Sequence, residues 1–224
     1  HMSQKGACFE RITRDGKCFY NITPFIPGFY EFVMTDPETK QNKEVAFQFR
    51  RTLNELGVLL RNVSVQGGGL MKVTPVMKEI SAQQKVYSFE DVLTFVNSAH
   101  TYSVADCACR TAAKLVGKGC EHPIEGTCMQ FDETADYYVR TGRGHYVSKE
   151  EAIKILEYTE KSGLVHCAFQ VEGKDYTTFI CNCCGCACAG LRQINRLDAN
   201  PMSHSNFRAK IDNDKCVACG ECVE

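Results

Sequence analysis

Cys181-Asn182-Cys183-Cys184-Gly185-Cys186-Ala187-Cys188 places five cysteines in eight residues. Two of them are adjacent, and the others are separated by one residue. Such neighbours seldom reach the Cα separation and dihedral that a disulfide needs. Several thiolates on one short loop do suit a metal. Gly185, Ala187, Ala189 and Gly190 let the backbone wrap closely, and their amides can hydrogen-bond sulfur. Each iron of a four-iron cluster takes one protein ligand, so five thiols leave one spare or serve two sites.

Two further groups extend the pattern. Cys107 and Cys109 are followed by Cys120 and Cys128, a set of four thiolates, which is the usual complement of a [4Fe–4S] cube. Arg110, next to the first pair, can donate hydrogen bonds to sulfide or thiolate, or else is a solvated surface charge. His122 is a further cofactor-binding candidate, with an outer-shell or structural role favoured over ligation because four thiolates lie nearby. Cys216, Cys219 and Cys222 form C-x2-C-x2-C, the bacterial ferredoxin run. That run expects a fourth cysteine after three more residues, and the sequence ends at Glu224, two short of it. Zinc is the alternative metal, at one site, although closed four-cysteine zinc sites favour two C-x2–4-C pairs and none of the three groups shows that arrangement. Cys8, Cys18 and Cys167 have no clustered partners and read as buried free thiols. His166-Cys167 is a poor nucleophile pair, because neighbours on a strand point to opposite faces.

The whole chain fits this reading. Fifteen cysteines in 224 residues is an odd count on a long sequence with no export signal, unlike a secreted disulfide scaffold. This points to a cytoplasmic protein. A net charge of -1 gives no global field toward nucleic acid or an anionic surface. No apolar run approaches the ~20 residues of a membrane span. Hydrophobic residues at 44% are enough for a core.

Local signals predict an α+β chain. Asp15-Gly16 between extended segments predicts a hairpin over Ala7–Ile22, which must pack on something downstream because lone hairpins are marginal. Asp36-Pro37 predicts a helix start, with Val45, Phe49, Leu53, Leu56 and Leu60 as its apolar face. Gln66–Gly69 reads as a connection and Leu70–Val76 as a strand. Capping-box patterns at Ser88–Asp91 and Ser148–Glu151 predict two more helices, the second stopping at Gly163. Tyr102–Ala105 and Phe207–Ile211 read as strands. Leu164–Phe169 and Tyr176–Cys181 predict a hairpin about Gly173-Lys174-Asp175. Helix, glycine and hairpin together are winged-helix-like, or simply a unit of an ordinary α+β core.

These residues resemble a family of 4Fe-4S-binding, ferredoxin-like proteins of anaerobic prokaryotes. The matching stretches are Pro24–Phe32, Asp106–Arg110, Lys118–Glu125, Gly163–His166, Ile180–Cys188 and Ser205–Glu224. The resemblance implies a wing-like hairpin at 5–23 from a domain whose helices precede it. A cysteine-rich iron–sulfur core at 24–204 and the first half of a ferredoxin-type module at 205–224 follow. Ala187 departs from the family, which often has a further cysteine there. Together the residues and the resemblance imply two or three [4Fe–4S] clusters and electron transfer with redox-protein partners. The alternatives are a reductase using an iron with an open position, or a redox-responsive regulator. No flavin, nicotinamide or acid–base constellation is legible, so no catalytic residue is assigned.

Overall fold

The computed structural model describes residues 2–13, 15–23, 28–61, 72–73, 92–170, 177–197 and 210–220. They form a mixed α+β fold with two antiparallel sheets. The first sheet is the hairpin β1 (Cys8–Ile12) and β2 (Cys18–Ile22). Gly16 closes its turn at φ 78°, a left-handed conformation that glycine adopts without strain. The hairpin packs downstream as expected. Phe9 packs tilted against Tyr137 with ring centroids 4.9 Å apart, and Arg140 bonds Glu10.

The second sheet has six strands in the order β3-β7-β8-β5-β4-β6. These are β3 (Lys72–Val73), β4 (Tyr102–Ala105), β5 (Cys128–Phe131), β6 (His145–Val147), β7 (Val165–Gln170) and β8 (Thr177–Cys183). Side chains alternate across a pleated strand, so its register sorts them into two faces. On one face, Val104, Met129, Ile180 and Ala168 make a row across four strands. Against them pack Val92, Phe95 and Val96 of α3 (Val92–Ser98) and Ala152 and Leu156 of α6 (Lys149–Lys161). The opposite face carries the row Ala105, Cys128, Cys181 and Cys167. It is covered by Phe32 of α1 (Tyr30–Thr35) and by Tyr137 and Tyr138 of α5 (Asp132–Arg140). A third cluster joins Tyr30 and Met34 to Ala46 and Leu53 of α2 (Lys43–Arg61) and to Ala108 and Ala112 of α4 (Ala108–Leu115). The last helix, α7 (Leu191–Leu197), follows the cysteine loop.

Ser148 and Glu151 form the reciprocal capping box read from the sequence, and α6 ends before Gly163 at φ 71°. The predicted helix start at Asp36-Pro37 is corrected. Asn42 caps α2 instead, its Oδ1 accepting from the Glu44 and Val45 amides at 3.0 and 3.1 Å. Asp36 ends α1 and is committed elsewhere: it accepts from the Glu38 amide and forms a buried ion pair with Arg143 at 2.8 Å. The short helix α1 was not legible in the sequence. The expected β7/β8 hairpin exists, but as two inner strands of the six-stranded sheet. The expected Gln66–Gly69 connection, the Ser88–Asp91 cap, the Gly173–Asp175 turn and most of the Leu70–Val76 and Phe207–Ile211 strands lie outside the described residues.

Candidate metal centre

Where β4, β5 and β8 reach the same end of the sheet, the cysteines of β5 and β8 meet those of α4 and of the loop before α7. Cys107 caps α4 and Cys109 lies in its first turn. The Cys107 amide is anchored on the Ile124 carbonyl at 2.9 Å. After β8 the chain turns sharply, with the Cys188 amide donating to the Cys184 carbonyl at 3.2 Å. The turn lies so close to α7 that a Cβ on Gly185 would stand 2.7 Å from Asn195 Nδ2.

The sequence grouping of thiols is redrawn by this folding. Cys109 neighbours Cys107 and Cys188, Cys188 neighbours Cys183, Cys183 neighbours Cys181 and Cys167, and Cys181 neighbours Cys128. The result is a string of neighbouring thiols drawn from β5, β7, β8, α4 and the loop, buried at Cys128, Cys167, Cys183 and Cys188 and half-buried at Cys107, Cys109 and Cys181. Cys120, assigned from spacing to the first group, stands instead with Cys184 and Cys186, all three sulfurs within 4.8 Å of one another. Cys167 is also corrected: it is fully buried and lies against Cys183, so it is not an isolated thiol. Of the other two, Cys18 is exposed on β2 and Cys8 is half-buried. Cys216 and Cys219 are exposed, and Cys222 lies outside the described residues.

The string's electrostatics follow from neighbouring thiols and from burial. Cys109 and then burial hold Cys107 well above the ordinary thiol range. Cys181 and burial do the same to Cys128, while Cys167 leads in pushing Cys183 up to about 12. Cys109, Cys181 and Cys188 each gain thiolate stabilisation from one neighbour, but a second neighbour and burial outweigh it. Metal binding to such thiols must therefore release protons. Cys184 differs. Burial raises it, but the Ala187 amide, Cys186 and the Arg110 guanidinium together hold it below the ordinary thiol value. The Gly190 amide donates to Cys188 Sγ at 3.3 Å, an amide-to-sulfur bond of the kind expected from the small residues here.

Arg110 is 2% exposed, which removes the surface-charge reading. Its Nη1 donates to the Asn182 carbonyl at 2.8 Å and its Nη2 to Thr127 Oγ1 at 2.6 Å. Asn182 in turn donates to the Thr127 carbonyl at 2.9 Å and meets His166 Nδ1 at 2.6 Å. This network ties α4, β7, β8 and the loop before β5 together beneath the thiols. His122 plays a structural part, its Nδ1 lying 3.1 Å from the Ser162 carbonyl at the end of α6.

Glu31 was missed from the sequence. It is 7% exposed, accepts from the Gly28 amide at 2.7 Å, and burial raises its pKa to about 7. Its charge contributes to the raised values of Cys109, Cys128 and Cys181. A carboxyl raised from 4.5 to about 7 stabilises the fold fully below the lower value, and the contribution is lost as pH rises through the upper one. The loss is about 3 kcal/mol. His166, held neutral by burial, works in the opposite sense as pH falls. The expected result is therefore a difference: between pH 5 and 8, metal-free Glu31→Gln gains about 3 kcal/mol on its parent in urea unfolding. Parallel pH profiles for the two proteins would rule the carboxyl out.

A group of cysteines able to hold a metal ion is thus present, and no described helix is long and apolar enough to cross a membrane. Compared with family models, curated proteins and solved structures, the chain matches none.

Proposed function

We propose that this chain is an electron-transfer protein that holds iron–sulfur clusters on its cysteines and exchanges electrons with a redox-protein partner. The observation that carries the reading is the buried to half-buried string of Cys107, Cys109, Cys188, Cys183, Cys181, Cys128 and Cys167. A single tetrahedral ion takes four ligands, and seven contiguous thiols exceed that need. The donor set fits a cluster: soft sulfur ligands in excess, an amide aimed at Cys188 Sγ, and a buried guanidinium beside the set. Cys107, Cys109, Cys183 and Cys188 would hold the group, with Cys128 and Cys181 next in line. When bound, a [4Fe–4S] cluster supplies a one-electron couple whose potential depends on burial and hydrogen bonds to sulfur.

The surrounding residues have definable duties. Phe32, Tyr137, Tyr138, Phe169 and Phe179 exclude water from the string. Arg110 orients the β8 end through Asn182, and Glu31 carries a proton whose gain or loss changes the charge beside the thiols. The C-x2-C-x2-C run at Cys216, Cys219 and Cys222 supports a ferredoxin-type module continuing the relay, and the β1–β2 hairpin is read as a wing. Free thiols in this number suit a reducing compartment such as the cytoplasm.

Iron and acid-labile sulfide, measured on anaerobically prepared protein with electron paramagnetic resonance before and after dithionite, test the reading. Roughly eight or more irons with matching sulfide and a reducible signal are expected for two cubane clusters. Tightly bound zinc with little iron would sink the electron-transfer function.

A further inference from the structure

Cys120 lies 64 positions before Cys184 and belongs to a different cysteine group from Cys184 and Cys186, yet the three sulfurs all lie within 4.8 Å of one another. Cys120 Sγ and Cys184 Sγ are 3.9 Å apart. An ion with tetrahedral sulfur ligands at ~2.3 Å spaces those sulfurs ~3.8 Å apart. Thiolates on separate irons of a cube are held wider, because the cube stands between them. The Cys120–Cys184 spacing is that of one ion, and Cys186 lies within 4.8 Å of both.

Charge and exposure add independent support. Three thiolates and a divalent ion sum to one negative charge, and the buried Arg110 guanidinium lies against Cys184 to offset it. Arg110 Nε is buried with no hydrogen-bond partner among the described residues. Cys184 is buried while Cys186 is exposed, so the trio runs from the protein interior to the surface. No fourth histidine, cysteine or carboxylate joins it among the described residues. Structural zinc sites are closed by four protein ligands, whereas three leave a position for an exchangeable one.

We propose that Cys120, Cys184 and Cys186 form a separate site for a single zinc-class ion whose fourth position accepts a small thiol from solution. This site is distinct from the string of seven thiols and does not depend on iron being held there.

Cobalt(II) titration of the reduced, metal-free full chain under anaerobic conditions tests it, followed by zinc displacement against a chromophoric chelator. Losing an outer-shell partner costs about 10–100-fold in metal affinity, so losing a thiolate ligand costs at least about 100-fold. Cys120→Ser and Cys186→Ser are each expected to lose that much at one site and to bind one cobalt ion fewer than the parent. Cys18→Ser, on the exposed strand β2, is expected to bind as the parent does. Cys186 is exposed, so its variant should keep the parent's circular dichroism, which separates ligand loss from misfolding. Adding 2-mercaptoethanol should shift the visible cobalt bands of the parent but not those of Cys186→Ser.

Unchanged cobalt stoichiometry in Cys186→Ser, or parent bands unmoved by the thiol, would overturn the proposal. So would a fall in iron and sulfide in reconstituted Cys120→Ser, which would make Cys120 a cluster ligand. If the parent takes up no iron at all, the electron-transfer reading fails, and the cobalt result still decides this one.

Discussion

Cys183→Ala is expected to reconstitute with at least one iron–sulfur cluster fewer than the parent, while Cys18→Ser keeps the full complement. Cys183 is the branching point of the string, with Cys167, Cys181 and Cys188 as its neighbours. It is 5% exposed, so no solvent ligand can readily take its place. Each iron needs its own protein thiolate, and alanine offers none. Truncating a small buried side chain costs stability as well, so the reading is taken as iron and sulfide per folded protein, with folding followed by circular dichroism. Cys18 lies on the exposed strand β2, away from the string. Full iron and sulfide in Cys183→Ala would show that the string is packing rather than ligation. Loss in Cys18→Ser as well would show that reconstitution is reporting general thiol chemistry.

The contrast between Cys183 and Cys18 shows what was legible in the sequence. Local chemistry was. The Asp15-Gly16 turn, the Ser148–Glu151 box and the Tyr102–Ala105 strand depend on residues a few positions apart, and each forms as read. Asp36-Pro37 failed because a longer-range contact competed: the Asp36 carboxylate pairs with Arg143 inside the fold, leaving Asn42 to cap α2. Ligand grouping failed for a related reason. Spacing along the chain says which thiols share a loop but not which loops share the end of a sheet. Cys120 and Cys184 are 64 positions apart and 3.9 Å distant. The order β7-β8-β5-β4 brings Cys167, Cys181 and Cys128 into one row, and no local pattern encodes that order.

One feature of the sequence does point to this row. A hairpin centred on Lys174 pairs residues equidistant from it, and Cys167 and Cys181 each lie seven positions away, as the register shows. Strand parity then puts Cys183 on the same face as Cys181. Glu31 gave no comparable warning, since a glutamate on a short helix reads as solvent-facing until tertiary packing buries it.

Arg110→Met is expected to be the most destabilising single change outside the thiols. Methionine approximates the length of the arginine stem and fills the space, but it offers no donor. The Asn182 carbonyl and Thr127 hydroxyl, on residues 2% and 1% exposed, then lose bonds of 2.8 and 2.6 Å that water cannot replace. Leaving a buried acceptor without its donor costs roughly 1–3 kcal/mol, so losing both bonds costs roughly 2–6 kcal/mol. For a chain of this length that corresponds to a fall of about 10 °C in melting temperature. The same change removes the one buried cation lying against Cys184, so that thiol should rise from its lowered value and react more slowly with iodoacetamide near neutral pH. Arg110→Lys separates the two effects. Its ammonium restores positive charge near Cys184, but a single point donor cannot span Asn182 and Thr127 as the planar fork does. The lysine variant should therefore recover thiol reactivity more fully than melting temperature. Equal recovery of both would mean that Arg110 acts through charge alone, and a melt within about 2 °C of the parent for Arg110→Met, less than about 1 kcal/mol for a chain of this size, would mean that the network beneath the thiols does not hold the fold together.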